Sequence, residues 1–287
     1  MEKLTKRWTK QEIVVILVSY VFLLVFAIWY IMPLLFVITN SLKSVTAFNE
    51  NVLAFPKVFE FANYKRALGL TYRNTNLIRM FLNSVIFCVL FSVGEIFSSS
   101  MSAYVLSKYR FCGRKVILSV AMVVQIVPIF GSGGMSYLIL NTLGMIDNIW
   151  LIWISGASGF GYTSFIIYSY FKNVSWEYAE AAFIDGAGNF YVFLRIMMPM
   201  ITPALLTMWL SAVIGLWGDY LTPMLYLKNT PTLAAGIYNL KSLAAFTQGG
   251  TTTYFAALVI SMVPLVILYL FTQRGIFRIK LEGGIKG

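Results

Sequence analysis

Glu180-Ala181-Ala182-Phe183-Ile184-Asp185-Gly186-Ala187 interrupts an otherwise very apolar chain, and Ile196 and Pro199 follow it. Read locally, the stretch is a short helix with a built-in stop. Ser175 stands where a side-chain oxygen can accept an N–H of the first turn. Glu177 and Glu180 put anionic groups near the helix N-terminus, where its dipole favours them. Trp176, Ala179 and Phe183 recur at helical spacing and make one apolar stripe. Ala181 and Ala182 are strong helix formers, small enough for another surface to approach closely. Gly186 supplies a left-handed terminator. A second short helix is predicted over about residues 190–198, ended by Pro199, and Thr202-Pro203 opens a further helix in its cap and first turn. The local chemistry therefore predicts a helix–turn–helix, which suits either an interfacial connector or a docking element.

Moving outward, the surroundings of this loop are those of a membrane protein. The 287 residues are 59% hydrophobic and 11% charged, with a mean hydropathy of +0.77, where a soluble domain carries about 25% charged residues. A membrane-spanning helix takes roughly 20 mostly apolar residues. Six stretches are candidates, at residues 13–39, 81–106, 116–130, 149–171, 201–221 and 254–271; the third is short and ends near Pro128, which suits either a kink there or a continuation through Ser136–Asn141. The first is too long for a signal-peptide core and lacks a small-residue cleavage site. The whole chain, 1–287, reads as one all-α polytopic membrane domain, with the helix–turn–helix at 175–199 between the fourth and fifth spans.

Net charge is +11. Nucleic-acid binding is the less economical explanation, because membrane proteins gather Lys and Arg in cytoplasmic segments. Lys3, Lys6, Arg7 and Lys10 precede the first span, and Lys108, Arg110, Arg114 and Lys115 lie between the second and third. Lys172 and Arg195 flank the central loop, and Arg274, Arg278, Lys280 and Lys286 follow the last span. Both termini are therefore expected in the cytoplasm. The opposite side holds Lys43, Lys57, Lys65, Arg66, Arg73 and Arg79 in one long loop, which weakens the asymmetry. That loop, 41–80, mixes polar, aromatic and Pro residues and reads as ordered. The segment 130–147 is Gly-rich and reads as irregular or re-entrant, and 223–253 reads as a polar outer loop.

The chain has no His and two Cys, Cys88 within a span and Cys112 in a loop. His-based catalysis and His metal ligands are excluded, and a disulfide is not expected. No GxxxxGK[ST] phosphate loop, HExxH or CxxC occurs, so neither ATP binding of that kind nor metal or redox chemistry is expected. The chain reads as a non-enzyme without a cofactor or metal.

Two features inside or at the edge of spans stand out. Glu95 lies roughly 20 Å along its helix from Phe81. A carboxyl at that depth either faces a water-filled path or pairs with Ser or Thr at a helix interface. Trp217-Gly218-Asp219-Tyr220 offers a carboxylate and aromatic faces, the chemistry that binds sugars, and equally fits an interfacial aromatic belt.

The central motif resembles the EAA loop of importer-type ABC transporter permeases: EAA, Gly four residues after the second Ala, Ile ten further on and Pro three after that. Met198 stands where that family usually has Leu. The resemblance continues through Met32-Pro33-Leu34, Ser41-Leu42-Lys43, Asn63-Tyr64, Asn83-Ser84, Ala103-Tyr104-Val105-Leu106-Ser107, Phe111-Cys112-Gly113-Arg114 and Pro128. These are similar to carbohydrate-importer permeases, in particular the second permease of maltose-type systems. The Trp217 stretch resembles a Trp-Asn-acid-aromatic motif with Gly218 in place of Asn. The ending Gly283-Gly284-Ile285-Lys286-Gly287 resembles that family's tail, although Glu282-Gly283 departs from its small and hydroxyl residues.

The resemblance implies the type I ABC importer permease fold, six spans and a multi-pass location in a bacterial cell membrane. It implies a cytoplasmic coupling helix that docks on a separate ATPase through Glu180, Ala181, Ala182, Asp185, Gly186, Ala187, Phe190, Ile196 and Pro199. Gly284, Lys286 and Gly287 become candidates for a second ATPase contact, and Trp217, Asp219, Tyr220 and Glu95 for lining the solute path. The implied partners are a homologous second permease, two cytoplasmic ATPase domains, an extracellular or periplasmic solute-binding protein and membrane lipid, with no nucleic acid. The expected cargo is a sugar or oligosaccharide. The alternatives are an importer for another solute or an ion-coupled secondary transporter, which would need more buried carboxylates than Glu95.

Overall fold

The computed structural model describes residues 9–126, 132–243 and 250–282. In chain order the elements are α1 (Lys10–Ser41), α2 (Val45–Glu50), α3 (Ala62–Leu68), the antiparallel pair β1 (Thr71–Tyr72) and β2 (Thr75–Asn76), α4 (Leu77–Lys108), α5 (Arg114–Ile126) and α6 (Ser132–Thr142). A 3₁₀ turn (Ile152–Gly156), α7 (Tyr162–Asn173), α8 (Glu177–Ile184) and α9 (Asn189–Val192) follow. A π turn (Phe193–Met197), α10 (Met198–Met200), α11 (Thr202–Gly218), α12 (Leu221–Tyr226), α13 (Leu233–Leu243) and α14 (Gly250–Glu282) complete the chain. Among the described residues three helices, α1, α4 and α14, are long and apolar enough to cross a membrane. A fourth arises if Asn189–Met200 and Thr202–Gly218, bent by 83°, count as one span.

The residues group into two compact units, Met1–Ala67 with Leu243–Ile260, and Leu68–Ser242 with Ser261–Gly287. In the first, α1 starts on a capping box: Thr9 Oγ1 accepts from Glu12 N, and the Glu12 carboxylate accepts from Thr9 N. From Ile13 to Leu35 every large apolar side chain is exposed, the pattern of a helix apolar on all faces. The far end of α1 is closed by buried polar groups. Asn63 Nδ2 donates to the carbonyls of Ser41 and Lys43, both at 2.8 Å, and the Ser41 and Tyr64 hydroxyls lie 2.8 Å apart. Lys43, 1% exposed, donates Nζ to Asn51 O and Val52 O at 3.0 and 2.8 Å. The lysine counted in the sequence as a loop charge is thus a buried clamp, and its burial lowers the ammonium pKa. It supplies hydrogen bonds to carbonyls that water would otherwise satisfy.

In the second unit α4 is the axis. Gly94 and Gly156 let aromatic rings approach: a Cβ on Gly94 would lie 2.4 Å from the Trp153 ring, and one on Gly156 would lie 2.4 Å from Phe91. Ser102 Oγ hydrogen-bonds to Gly159 O. Close approach through small residues is how helices associate where lipid offers no hydrophobic contrast. One core gathers Phe87, Phe91, Ile149, Ile152, Val213 and Leu227, and a second gathers Ala103, Tyr104, Ile167, Phe171, Val192 and Met197.

Three stretches differ from the sequence expectation. Residues 149–171 are a 3₁₀ turn followed by α7 rather than one helix. Gly156, Gly159 and Gly161 each weaken a helix by about 1 kcal/mol, and Gly159 sits at φ +71°. The Gly-rich segment after residue 131 contains a regular helix, α6, over the residues 136–141 that one reading of the third span includes, rather than irregular chain. Within the stretch after Pro223, read as a polar outer loop, α13 is a helix that buries Leu233, Ala235, Ile237 and Leu240. Its first N–H is capped from α4, where Ser84 Oγ accepts from Leu233 N at 2.7 Å, and Asn83 Nδ2 donates to Pro231 O just before the helix at 3.0 Å.

Candidate functional site

The helix–turn–helix forms where its local chemistry places it. Ser175 Oγ accepts from Glu177 N at 3.3 Å, and α8 carries Glu177 and Glu180 in its first turn. Gly186, at φ +84°, closes α8: its N–H reaches Phe183 O at 3.0 Å and Ala187 N–H reaches Ala182 O at 2.9 Å. That bonding pair is the Schellman stop. A Cβ on Gly186 would meet nothing within 4 Å of this chain. The demand for glycine is therefore one of backbone conformation and of whatever covers the turn.

Ala179 and Ala182 form the inner side of α8 and are buried against Ile167, Phe171, Val192 and Met197. Larger residues there would lift the helix off its base. The outer side shows Tyr178, Glu180, Ala181, Asp185 and Ile184, the last 86% exposed. Among the described residues the Glu180 and Asp185 carboxylates accept no hydrogen bond and pair with no cation within 4.0 Å. The base is held from α4 and the turn after it. Lys108 Nζ donates to Val174 O, Tyr109 OH donates to Asn189 Oδ1 at 2.9 Å, and the Tyr109 ring meets Trp176 edge-on at 5.7 Å.

Beyond the turn the expected helix over 190–198 is present but not simple. It starts as α9, widens into the π turn Phe193–Met197, where Met198 N–H reaches Phe193 O, and runs past Pro199 to Met200. Pro199 has no N–H to give and its ring clashes with the carbonyl four residues back, which favours a wider turn just before it. The break falls at Ile201 instead, with the 83° bend into α11. Phe190 and Pro199 are exposed, while Ile196 and Ala187 are half-buried.

The other candidate residues have different partners from one another. Trp217 donates Nε1–H to Ser261 O at 3.0 Å and packs edge-on against Phe81 at 5.7 Å. Asp219 caps α12, its Oδ1 accepting from Leu221 N at 2.9 Å and Thr222 N at 3.1 Å. Tyr220 stacks on Tyr238 with centroids 4.1 Å apart. Glu95 lies half-buried on α4, roughly 20 Å along the helix from Phe81, and accepts from Thr163 Oγ1 at 2.7 Å. The structure thus gives no single Trp–Asp–Tyr–Glu cluster. Gly284, Lys286 and Gly287 lie outside the described residues. Sequence reasoning missed Lys43, Asn83 and Ser84 as structural clamps, because their partners are distant in the chain.

Comparison with known proteins agrees with this geometry. A family model described as "Binding-protein-dependent transport system inner membrane component" matches residues 96–278, which include the whole helix–turn–helix. The chain is similar to the diacetylchitobiose uptake system permease protein NgcG of Streptomyces coelicolor, 28% identical over 264 residues that cover 90% of this chain and 85% of the relative. It is similar to the maltodextrin transport system permease protein MdxG of Bacillus subtilis, 28% identical over 94% of this chain and 95% of the relative. Its fold matches that of a chain in the crystal structure of a bacterial ABC transporter involved in alginate import, with TM-score 0.78, 24% identity, and coverage of 94% and 99%. A polytopic all-α chain with an outward-facing EAA helix and this family match belongs to the inner-membrane components of binding-protein-dependent transport systems, the permease subunits of ABC importers.

Proposed function

We propose that this permease carries a sugar or oligosaccharide and is driven through α8. The observation that carries the coupling role is the outer side of α8. Tyr178, Ala181 and Ile184 stand in solvent beside two carboxylates that have no partner among the described residues, as a helix does when it is built to lie in another protein's groove. Glu180, Ala181, Asp185 and Gly186 would contact the ATPase directly. Ala182, Ala187, Ile196 and Pro199 would set the angle of the helix, and Phe190 would flank it. The sugar assignment is supported by relatives named for diacetylchitobiose and maltodextrin transport. A second permease, a pair of ATPase domains and an external binding protein complete the assembly.

Both termini and α8 would then face the cytoplasm, with Lys57 outside. Single cysteines test this in a Cys-free background. One at Lys57 reacts with an impermeant thiol reagent on whole cells, and ones at Lys10 and Arg114 do not; labelling at Arg114 from outside reverses the topology. Uptake of labelled oligosaccharides by proteoliposomes holding the complete transporter and its binding protein tests the cargo. Failure of every neutral sugar alongside uptake of another solute class would remove the sugar assignment and leave the coupling role standing.

A further inference from the structure

We infer that the groove at the foot of α4 holds one anionic phospholipid of the inner leaflet. The groove has a volume of about 530 Å³. Its walls are Met101 and Val105 of α4, Phe111 of the following turn, and Phe190 and Phe193 on the rising side of the central loop, with Arg110 at the lip. No carboxylate lines it. Tyr104 also faces it, and its buried hydroxyl has no hydrogen-bond partner among the described residues. Met101, Val105, Phe111 and Phe190 are all exposed.

Depth and charge select the occupant. Val105 and Met101 lie about 5 and 10 Å along α4 from its charged end at Lys108, and α4 is a helix of membrane-spanning length and apolarity. The trough therefore reaches from the headgroup level into hydrocarbon, below what a water-soluble partner can reach. Tyr109 and Asn189 also line it and are hydrogen-bonded to each other at 2.9 Å, and the remaining walls offer a free aqueous anion no cation below the lip. Arg110, at the lip, is exposed and makes no hydrogen bond or ion pair among the described residues. Lys108 and Arg114 are already engaged, with Val174 O and Tyr168 OH. Residues 107–115 hold four cations and no acid. An apolar slot below an uncommitted guanidinium fits an acyl chain under a phosphodiester, and a cationic site on the cytoplasmic side selects anionic headgroups. The bound chain would lie against Phe190 and Phe193 and brace the rising helix of the central loop. The inference rests on the cytoplasmic placement of this end of α4.

The test uses the complete transporter with p-benzoylphenylalanine at Phe111, in vesicles of equal parts phosphatidylglycerol and phosphatidylcholine. After irradiation the adduct mass identifies what lies in the groove. The expected adduct is phosphatidylglycerol in excess over phosphatidylcholine. Arg110→Gln lowers that excess about fivefold, the worth of one interfacial cation, and Val105→Trp, which fills the trough, removes both lipid adducts. Equal capture of the two lipids, an excess that survives Arg110→Gln, or capture of a partner subunit overturns the proposal. The readout involves no ATP hydrolysis, so it stands or falls separately from the coupling role of α8.

Discussion

The loop around α8 and the segment around Trp217 were both singled out by their residue types, and the fold treats them oppositely. Around Trp217 the indole N–H, one carboxylate oxygen of Asp219 and the ring face of Tyr220 are engaged inside the chain. The indole N–H holds Ser261 O, the Asp219 carboxylate caps α12, and the Tyr220 ring lies on Tyr238. On α8 the same kinds of group are left open: Glu180 and Asp185 have no partner among the described residues, and Tyr178 and Ile184 stand in solvent. The difference teaches that residue type alone does not separate a contact surface from a packing cluster. Unengaged groups on a rigid, well-packed base are the stronger pointer, because a native fold seldom leaves an apolar–acidic face open without a use for it.

The largest effect is expected at Gly186. Gly186→Val forces a β-branched residue to φ +84°, which costs about 1–2 kcal/mol in strain, and it adds bulk where the chain itself leaves space. Glu180→Lys reverses the charge of an open carboxylate. Both variants should insert in the membrane and abolish transport, with the ATPase co-purifying poorly or hydrolysing ATP without response to the loaded binding protein. Normal pull-down with normal stimulated hydrolysis in both would break the contrast between the two regions.

A smaller effect is expected at Asp219. Asp219→Ala removes the cap of α12 and should destabilise the transporter by about 1 kcal/mol, read as a lower thermal midpoint. Asp219→Asn keeps a capping oxygen and should behave as wild type in stability and in uptake. A tenfold rise in KM for uptake with Asp219→Asn at unchanged stability would show that the carboxylate meets solute, and the Trp217 region would then belong with α8.

The smallest effect concerns Glu95. Glu95→Gln still offers Thr163 an acceptor and should leave stability within about 0.5 kcal/mol. Thr163→Val removes the donor from a half-buried carboxyl and should lose about 1–2 kcal/mol. Uptake that falls in Glu95→Gln while stability holds would place the carboxyl on the solute path rather than at a helix seam.

Legibility followed the range of the interactions. The start of α8 and its stop at Gly186 depend on neighbours within five residues and are readable as chemistry, whereas the inward placement of Ala182, read with Ala181 as open to a partner, depends on Ile167, Phe171 and Met197. The run 149–171 was misjudged because hydropathy counts apolar side chains and overlooks Gly156, Gly159 and Gly161, whose use depends on rings and hydroxyls of α4. Lys43 looked like one more loop cation. Its burial follows from carbonyls of Asn51 and Val52 that only the folded turn brings to its ammonium.

The sequence by itself determined the solvent of this protein, its helical class, the position of the coupling motif and the need for a partner to supply energy. The first two follow from composition and periodicity, the helix–turn–helix from contacts between near neighbours, and the coupling role and the partner from the motif's resemblance to a family. Only the tertiary structure decided which of the polar residues are engaged. Asn83 holds the carbonyl of Pro231, 148 residues away, Ser84 caps α13 at a distance of 149 residues, and Trp217 and Asp219 turn into packing and capping roles. A side chain's hydrogen-bond partner is fixed by where distant segments meet, and no local pattern carries that information.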